Sequence, residues 1–106
     1  MVSKYHNRKT IVHGREFDSK KEGTRYQELL WMEQFGLICN IEIQPKYDLV
    51  VNKQKLGFYR ADFRYRDRET GKDVIEDVKS PVTRTAVYQL KKKLMKALYD
   101  IEIVEV

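Results

Sequence analysis

Hydrophobic positions along this chain follow two rhythms, and the change from one to the other predicts its elements. Thr10-Ile11-Val12 and Glu16-Phe17 flank His13-Gly14, which predicts a short turn between extended segments. Ser19-Lys20-Lys21-Glu22 has the spacing of a capped helix start. Tyr26, Leu29, Leu30 and Leu37 then fall at helical intervals, with Gly36 as a stop signal. From Ile38 to Val51 the period drops to two, through Ile41, Ile43, Tyr47, Leu49 and Val51. This predicts a strand that is bent, bulged or at an edge where Pro45 interrupts it. Asn52 to Lys55 reads as a turn, Gly57 to Arg66 as a second strand, Asp67 to Lys72 as a hairpin, and Asp73 to Lys79 as a third strand ended by Ser80-Pro81. A second helix is predicted from about Arg84 to Tyr99. Val87, Leu90, Leu94 and Leu98 share one face of it, and Arg84, Lys91, Lys92, Lys93 and Lys96 lie on the remainder. Ile101 to Val106 alternates as a last strand. The order α-β-β-β-α-β predicts an α/β fold, a mixed sheet flanked by helices.

Composition narrows the class. A chain of 106 residues with no repeat, linker or low-complexity segment is expected to form one domain, and a hydrophobic fraction of 42% suffices for one modest core. No stretch is apolar enough to span a membrane or act as a signal peptide, so the expectation is a soluble, cytoplasmic protein. The lone Cys39 cannot form an internal disulfide and reads as a packed residue. Lys and Arg outnumber Asp and Glu by 21 to 16, a net charge of +5, which favours a polyanionic partner. Ser3 to Lys9 is itself polar and basic (Lys4, His6, Arg8, Lys9) and predicts a flexible arm.

The third strand holds the candidate chemistry. Side chains two residues apart share a face, so Asp77 and Lys79 project together, while Glu76 points the other way between Val74 and Val78. In the preceding strand Tyr59, Ala61, Phe63 and Tyr65 form an apolar face, and Asp62 lies opposite with Arg60 and Arg64. If the two strands pair through the Asp67–Lys72 hairpin, Asp62 and Asp77 come close enough to share a hard divalent cation. Mg²⁺ or Mn²⁺ suits such a pair, with waters and phosphate oxygens completing the shell. The competing interpretation is a cross-strand salt bridge between Lys79 and either acid on a solvated face. His6 and His13 have no Cys or His partners at zinc spacing, and no glycine-rich phosphate loop precedes a helix.

Tyr59-Arg60-Ala61-Asp62-Phe63 followed by Val74-Ile75-Glu76-Asp77-Val78-Lys79-Ser80 resembles the PD-(D/E)XK nuclease superfamily. The likeness is strongest to small phage-type members related to Holliday-junction resolvases, and it extends from about Phe17 to Val106. Ala61 stands where the name-giving proline would be. The resemblance implies a restriction-endonuclease-like core, metal-dependent hydrolysis of DNA, and roles for Asp62 and Asp77 as the metal-binding acids and Lys79 as the catalytic lysine. It also implies a metal-directed glutamate on the first helix, for which Glu22 qualifies; Glu22 is equally where a helix-capping glutamate belongs. Gln44, at the Pro45 interruption, is either aimed at the active site or satisfies the local backbone. Lys91, Arg84, Lys92, Arg8 and Lys9 are the candidate DNA-backbone contacts, Tyr88 reads as core more than as a base-stacking residue, and Trp31 and Met32 read as core or interface. By analogy with junction resolvases, a homodimer acting on branched DNA in phage recombination is expected. The alternative is a non-catalytic DNA-binding module on the same fold.

Overall fold

The computed structural model describes residues 9–106, so Arg8, His6 and the rest of the expected basic arm before Lys9 lie outside the described residues. Strands β1 (Thr10–Val12) and β2 (Arg15–Phe17) form an antiparallel hairpin whose turn places His13 and Gly14 at positive φ. The hairpin rests on helix α1 (Lys20–Gln34) at Gly23. A Cβ there would come within 2.9 Å of the Thr10 methyl, so only glycine permits this approach without a shift. Ser19 caps α1 by accepting the Glu22 N–H at 3.1 Å, and Gly36 ends it at a φ of 77°. Leu37 falls beyond this stop and is exposed, so it does not extend the helix's buried stripe.

The two long strands expected from the alternation are each divided. Ile38 to Val51 is β3 (Ile38–Ile43) and β4 (Lys46–Val51), and the next run is β5 (Gln54–Arg60) and β6 (Phe63–Asp67). Both breaks occur at one level. Gln44, at a φ of 54°, donates its N–H to the Asp62 carbonyl at 2.9 Å, and Ala61 donates to the Pro45 carbonyl at 3.1 Å. Pro45 has no N–H to continue a ladder, so the paired strands leave the main sheet together as the β4–β5 extension. The main sheet has the order β3-β6-β7-β8. β7 (Asp73–Asp77) runs antiparallel to β6 and parallel to β8 (Val104–Glu105). The protein is thus an α/β fold with a mixed sheet, and no helix is long and apolar enough to cross a membrane among the described residues.

The same break divides the expected single apolar face. Phe63 and Tyr65 pack with Phe17, Tyr26 and Leu29 in a core under α1. Tyr59 and Ala61 pack with Leu49, Ile75 and Met95 in a second core under helix α2 (Ala86–Tyr99). A 3-10 turn at Pro81–Thr83 precedes α2, and Thr85 caps it, so the helix starts at Ala86 and not at Arg84. Its inner side is also narrower than the apolar spacing predicts. Tyr88 and Met95 are buried and Leu94 is half-buried, but Val87, Leu90 and Leu98 are exposed. The reason is the small area beneath, where β4 and the Ile101–Ile103 segment cover only the Tyr88–Met95 side. Trp31 is exposed as well, while Met32 packs against the first core, so the core assignment holds only for the methionine. The last alternating segment forms a strand only at Val104–Glu105, although Ile103 before it is buried.

Candidate active site

The point where β5 and β6 part company lies beside the end of β7, and there two acids clip the strands together. The Asp62 N–H donates to the Glu76 carbonyl at 3.1 Å and to Asp77 Oδ1 at 3.2 Å. In return, Asp62 Oδ2 accepts the Val78 N–H at 2.7 Å. The Tyr59 hydroxyl donates to Asp77 Oδ2 from the buried side. Lys79 follows Asp77 on the same face, with its Nζ 3.9 Å from Asp77 Oδ2 and 4.0 Å from the centre of the Tyr88 ring. Tyr88 is itself anchored, since its hydroxyl donates to Glu105 Oε2 at 2.8 Å. Asp62, Asp77 and Lys79 are therefore brought together, on a face that also carries Tyr59 and Tyr88.

Burial dominates the electrostatics. Asp77 is 3% exposed, and loss of water raises its pKa against the hydrogen bond from Tyr59 and the charge of Lys79. Asp62 is pushed up to about 8, by burial first and then by the Asp77 and Glu22 charges, with the Val78 N–H opposing. Glu22 is half-buried on the first turn of α1. Its pKa is raised by burial first, then by Asp18 and Asp77, while the Ser19 hydrogen bond and Lys79 oppose. Glu22 thus feels the Asp77 charge, and Asp62 feels both of the others.

Oxygen donors that resist ionisation because of burial and mutual repulsion suit a hard divalent cation, whose charge would relieve both effects. Among the described residues no group of three His, Cys, Asp or Glu side chains is gathered closely enough to hold a metal alone. Asp62 and Asp77 are the two acids of this site that could hold an ion of the Mg²⁺ kind, which takes one or two carboxylates and keeps waters in its other positions.

The other expected residues are distributed more widely. Gln44 is exposed, and its contact with this region is the backbone bond to Asp62. Arg84 and Lys92 both pair with Glu105, at 2.9 and 3.0 Å. Lys9 pairs with Glu16 at 3.1 Å, and Lys91 reaches to 5.4 Å from the Phe58 ring. Three contributors escaped the sequence analysis: Tyr59, Arg25 and the role of Tyr88 as a platform for Lys79. A tyrosine in an otherwise apolar strand face is a usable signal, because a buried hydroxyl needs a partner. Arg25 binds both oxygens of Glu76, and the Tyr65 hydroxyl donates to the same carboxylate. That charge on the inward side of β7 is visible in the sequence, but its partner on α1 is not.

Searches of curated proteins and of solved structures return no significant match to the chain. A family profile described as "Protein of unknown function (DUF1064)" matches residues 2–104, nearly the whole length, and the chain belongs to that family.

Proposed function

We propose that this protein is a divalent-metal-dependent deoxyribonuclease acting on branched DNA. The observation that carries the reading is the clip of two carboxyls, the half-buried Asp62 and the buried Asp77, with the Lys79 ammonium 3.9 Å from the second. A cross-strand salt bridge on a solvated face needs neither the burial of Asp77 nor a second carboxyl beside it. Asp62 and Asp77 would hold the cation, which supplies Lewis-acid polarisation of the scissile phosphate. Glu22 stands nearby on α1 to orient a water by hydrogen bonding. Lys79, kept on the site side by the Tyr88 ring, holds a positive charge where negative charge grows on the phosphate oxygens. Tyr59 fixes the orientation of the Asp77 carboxyl. The basic balance of the chain supplies the attraction to DNA.

The test is cleavage of a labelled four-way junction and a matched linear duplex in Mg²⁺, Mn²⁺ or EDTA, by wild type and by Asp77→Asn. Metal-dependent cutting of the junction, lost in the variant, is the expected result. Equal cutting of both substrates keeps the nuclease and removes the preference for branches. Binding without cutting in either metal overturns the catalytic reading in favour of a DNA-binding module.

A further inference from the structure

One exposed aromatic ring is surrounded by cations in a way that packing does not require. Phe58 is 40% exposed and belongs to neither core. Lys46 Nζ lies 4.6 Å from its ring centre, the Arg60 guanidinium 5.5 Å, and Lys91 Nζ 5.4 Å, so β4, β5 and α2 each send a positive charge to one phenyl group. Lys46 and Arg60 are also direct cross-strand partners, an arrangement of like charges that weakens a hairpin. Among the described residues none of these three cations pairs with a carboxylate. Several basic side chains elsewhere have acidic partners: Arg64 and Arg66 share Asp73, and Arg84 and Lys92 share Glu105. The one acid on this stretch of β4, Asp48, pairs with Lys55.

Like charges gathered without counter-charges are relieved by a polyanion, and an accessible ring among them offers a stacking surface that any base can use. Along the chain the cluster adjoins the candidate site: Arg60 is two residues from Asp62, and Lys91 is three residues along α2 from Tyr88, whose ring supports Lys79. Phe58 projects from the face of β5 opposite to Tyr59. We propose that Phe58, with Lys46, Arg60 and Lys91, is a binding site for an unpaired DNA nucleotide, the ring stacking on the base and the cations taking the flanking phosphates. A base can reach the ring only outside a duplex, so the site selects strands that are single or opened at a branch. The choice of DNA as the polyanion rests on the nuclease reading; the stacking chemistry does not.

The test is fluorescence anisotropy in EDTA, where no cleavage can occur, with labelled oligothymidylate and a blunt duplex of the same length. Phe58→Ala is expected to weaken single-strand binding roughly tenfold and to leave duplex binding within about twofold. Phe58→Trp, in a Trp31→Phe background, should restore the affinity and show quenched emission on binding. Replacing Lys46 or Arg60 by Gln should lower the salt dependence of single-strand binding by about 0.7 per lost phosphate contact. Unchanged single-strand affinity in Phe58→Ala, or an equal loss for both DNAs, overturns the proposal whatever the cleavage assay shows. Failure of the nuclease with these binding results intact leaves the stacking site standing.

Discussion

Arg25 donates to both carboxylate oxygens of Glu76, through Nε at 2.9 Å and Nη2 at 2.6 Å. Glu76 is 1% exposed, so this pair lies beneath α1 and joins that helix to β7 one residue before Asp77. Removing either partner strands a charge in the interior. Arg25→Ala and Glu76→Ala are each expected to destabilise the fold by about 3–5 kcal/mol in urea denaturation. A loss below about 1 kcal/mol would mean that water reaches the site and that the pair does not hold α1 in place.

Asp62 supplies a pH prediction. Its folded-state pKa is raised from 3.8 to about 8, so over that interval the unfolded chain has released a proton that the folded chain retains. Stability from this group is therefore full below pH 3.8 and falls as pH rises through 8. Asp62→Asn keeps an acceptor for the Val78 N–H and removes the ionisation. In EDTA the variant should be more stable than wild type by on the order of 1 kcal/mol at pH 8, with the gap closing toward pH 4. Added Mg²⁺ should raise the melting temperature of wild type and leave the variant nearly unmoved. Equal stability of the two proteins at pH 8 would contradict the electrostatic strain assigned to this site.

Much of the α/β frame can be read from hydrophobic period, because capping and alternation are local. Ser19 and Glu22 mark the start of α1, and the period of β7 separates Asp77 from Glu76 without any tertiary information. The double break was not legible in full. Pro45 announces an interruption in one strand, but the matching break at Ala61–Asp62 comes from pairing, through the Gln44 to Asp62 and Ala61 to Pro45 hydrogen bonds. It matters for the site, since it sets Asp62 where its N–H and carboxyl both reach β7. The face of α2 failed for a related reason: periodicity shows which residues are apolar, but not how much sheet lies underneath. Tyr88 thereby became the buried contact, while Val87 and Leu90 remained outside.

Lys79 and Tyr88 separate charge from support. Lys79→Ala removes the ammonium and should lower kcat by at least about a hundredfold with little change in KM, as expected for a group acting mainly on the transition state. Tyr88→Leu keeps the lysine but removes the aromatic surface 4.0 Å from it, and should lower kcat by about tenfold. Tyr88→Phe retains the ring and should cut at close to the wild-type rate, although it loses the bond to Glu105. If Phe and Leu behave alike at this position, the ring does not position Lys79 and the hydroxyl accounts for the effect.

The exposed side of α2 bears on the expected homodimer. Val87, Leu90 and Leu98 lie at helical spacing around the half-buried Leu94, and exposures of 63%, 59% and 37% leave an apolar stripe facing water. A second copy of the chain would cover that stripe and bring a second Asp62–Asp77–Lys79 set to a branched substrate, as paired cuts require. Sedimentation of wild type at micromolar concentration should give a dimer, and Leu90→Glu should give a folded monomer with an unchanged circular dichroism spectrum. That monomer should nick a junction on one strand and fail to resolve it into two duplexes. A monomeric wild type, or a Leu90→Glu variant that still dimerises, would place any pairing of active sites on another surface.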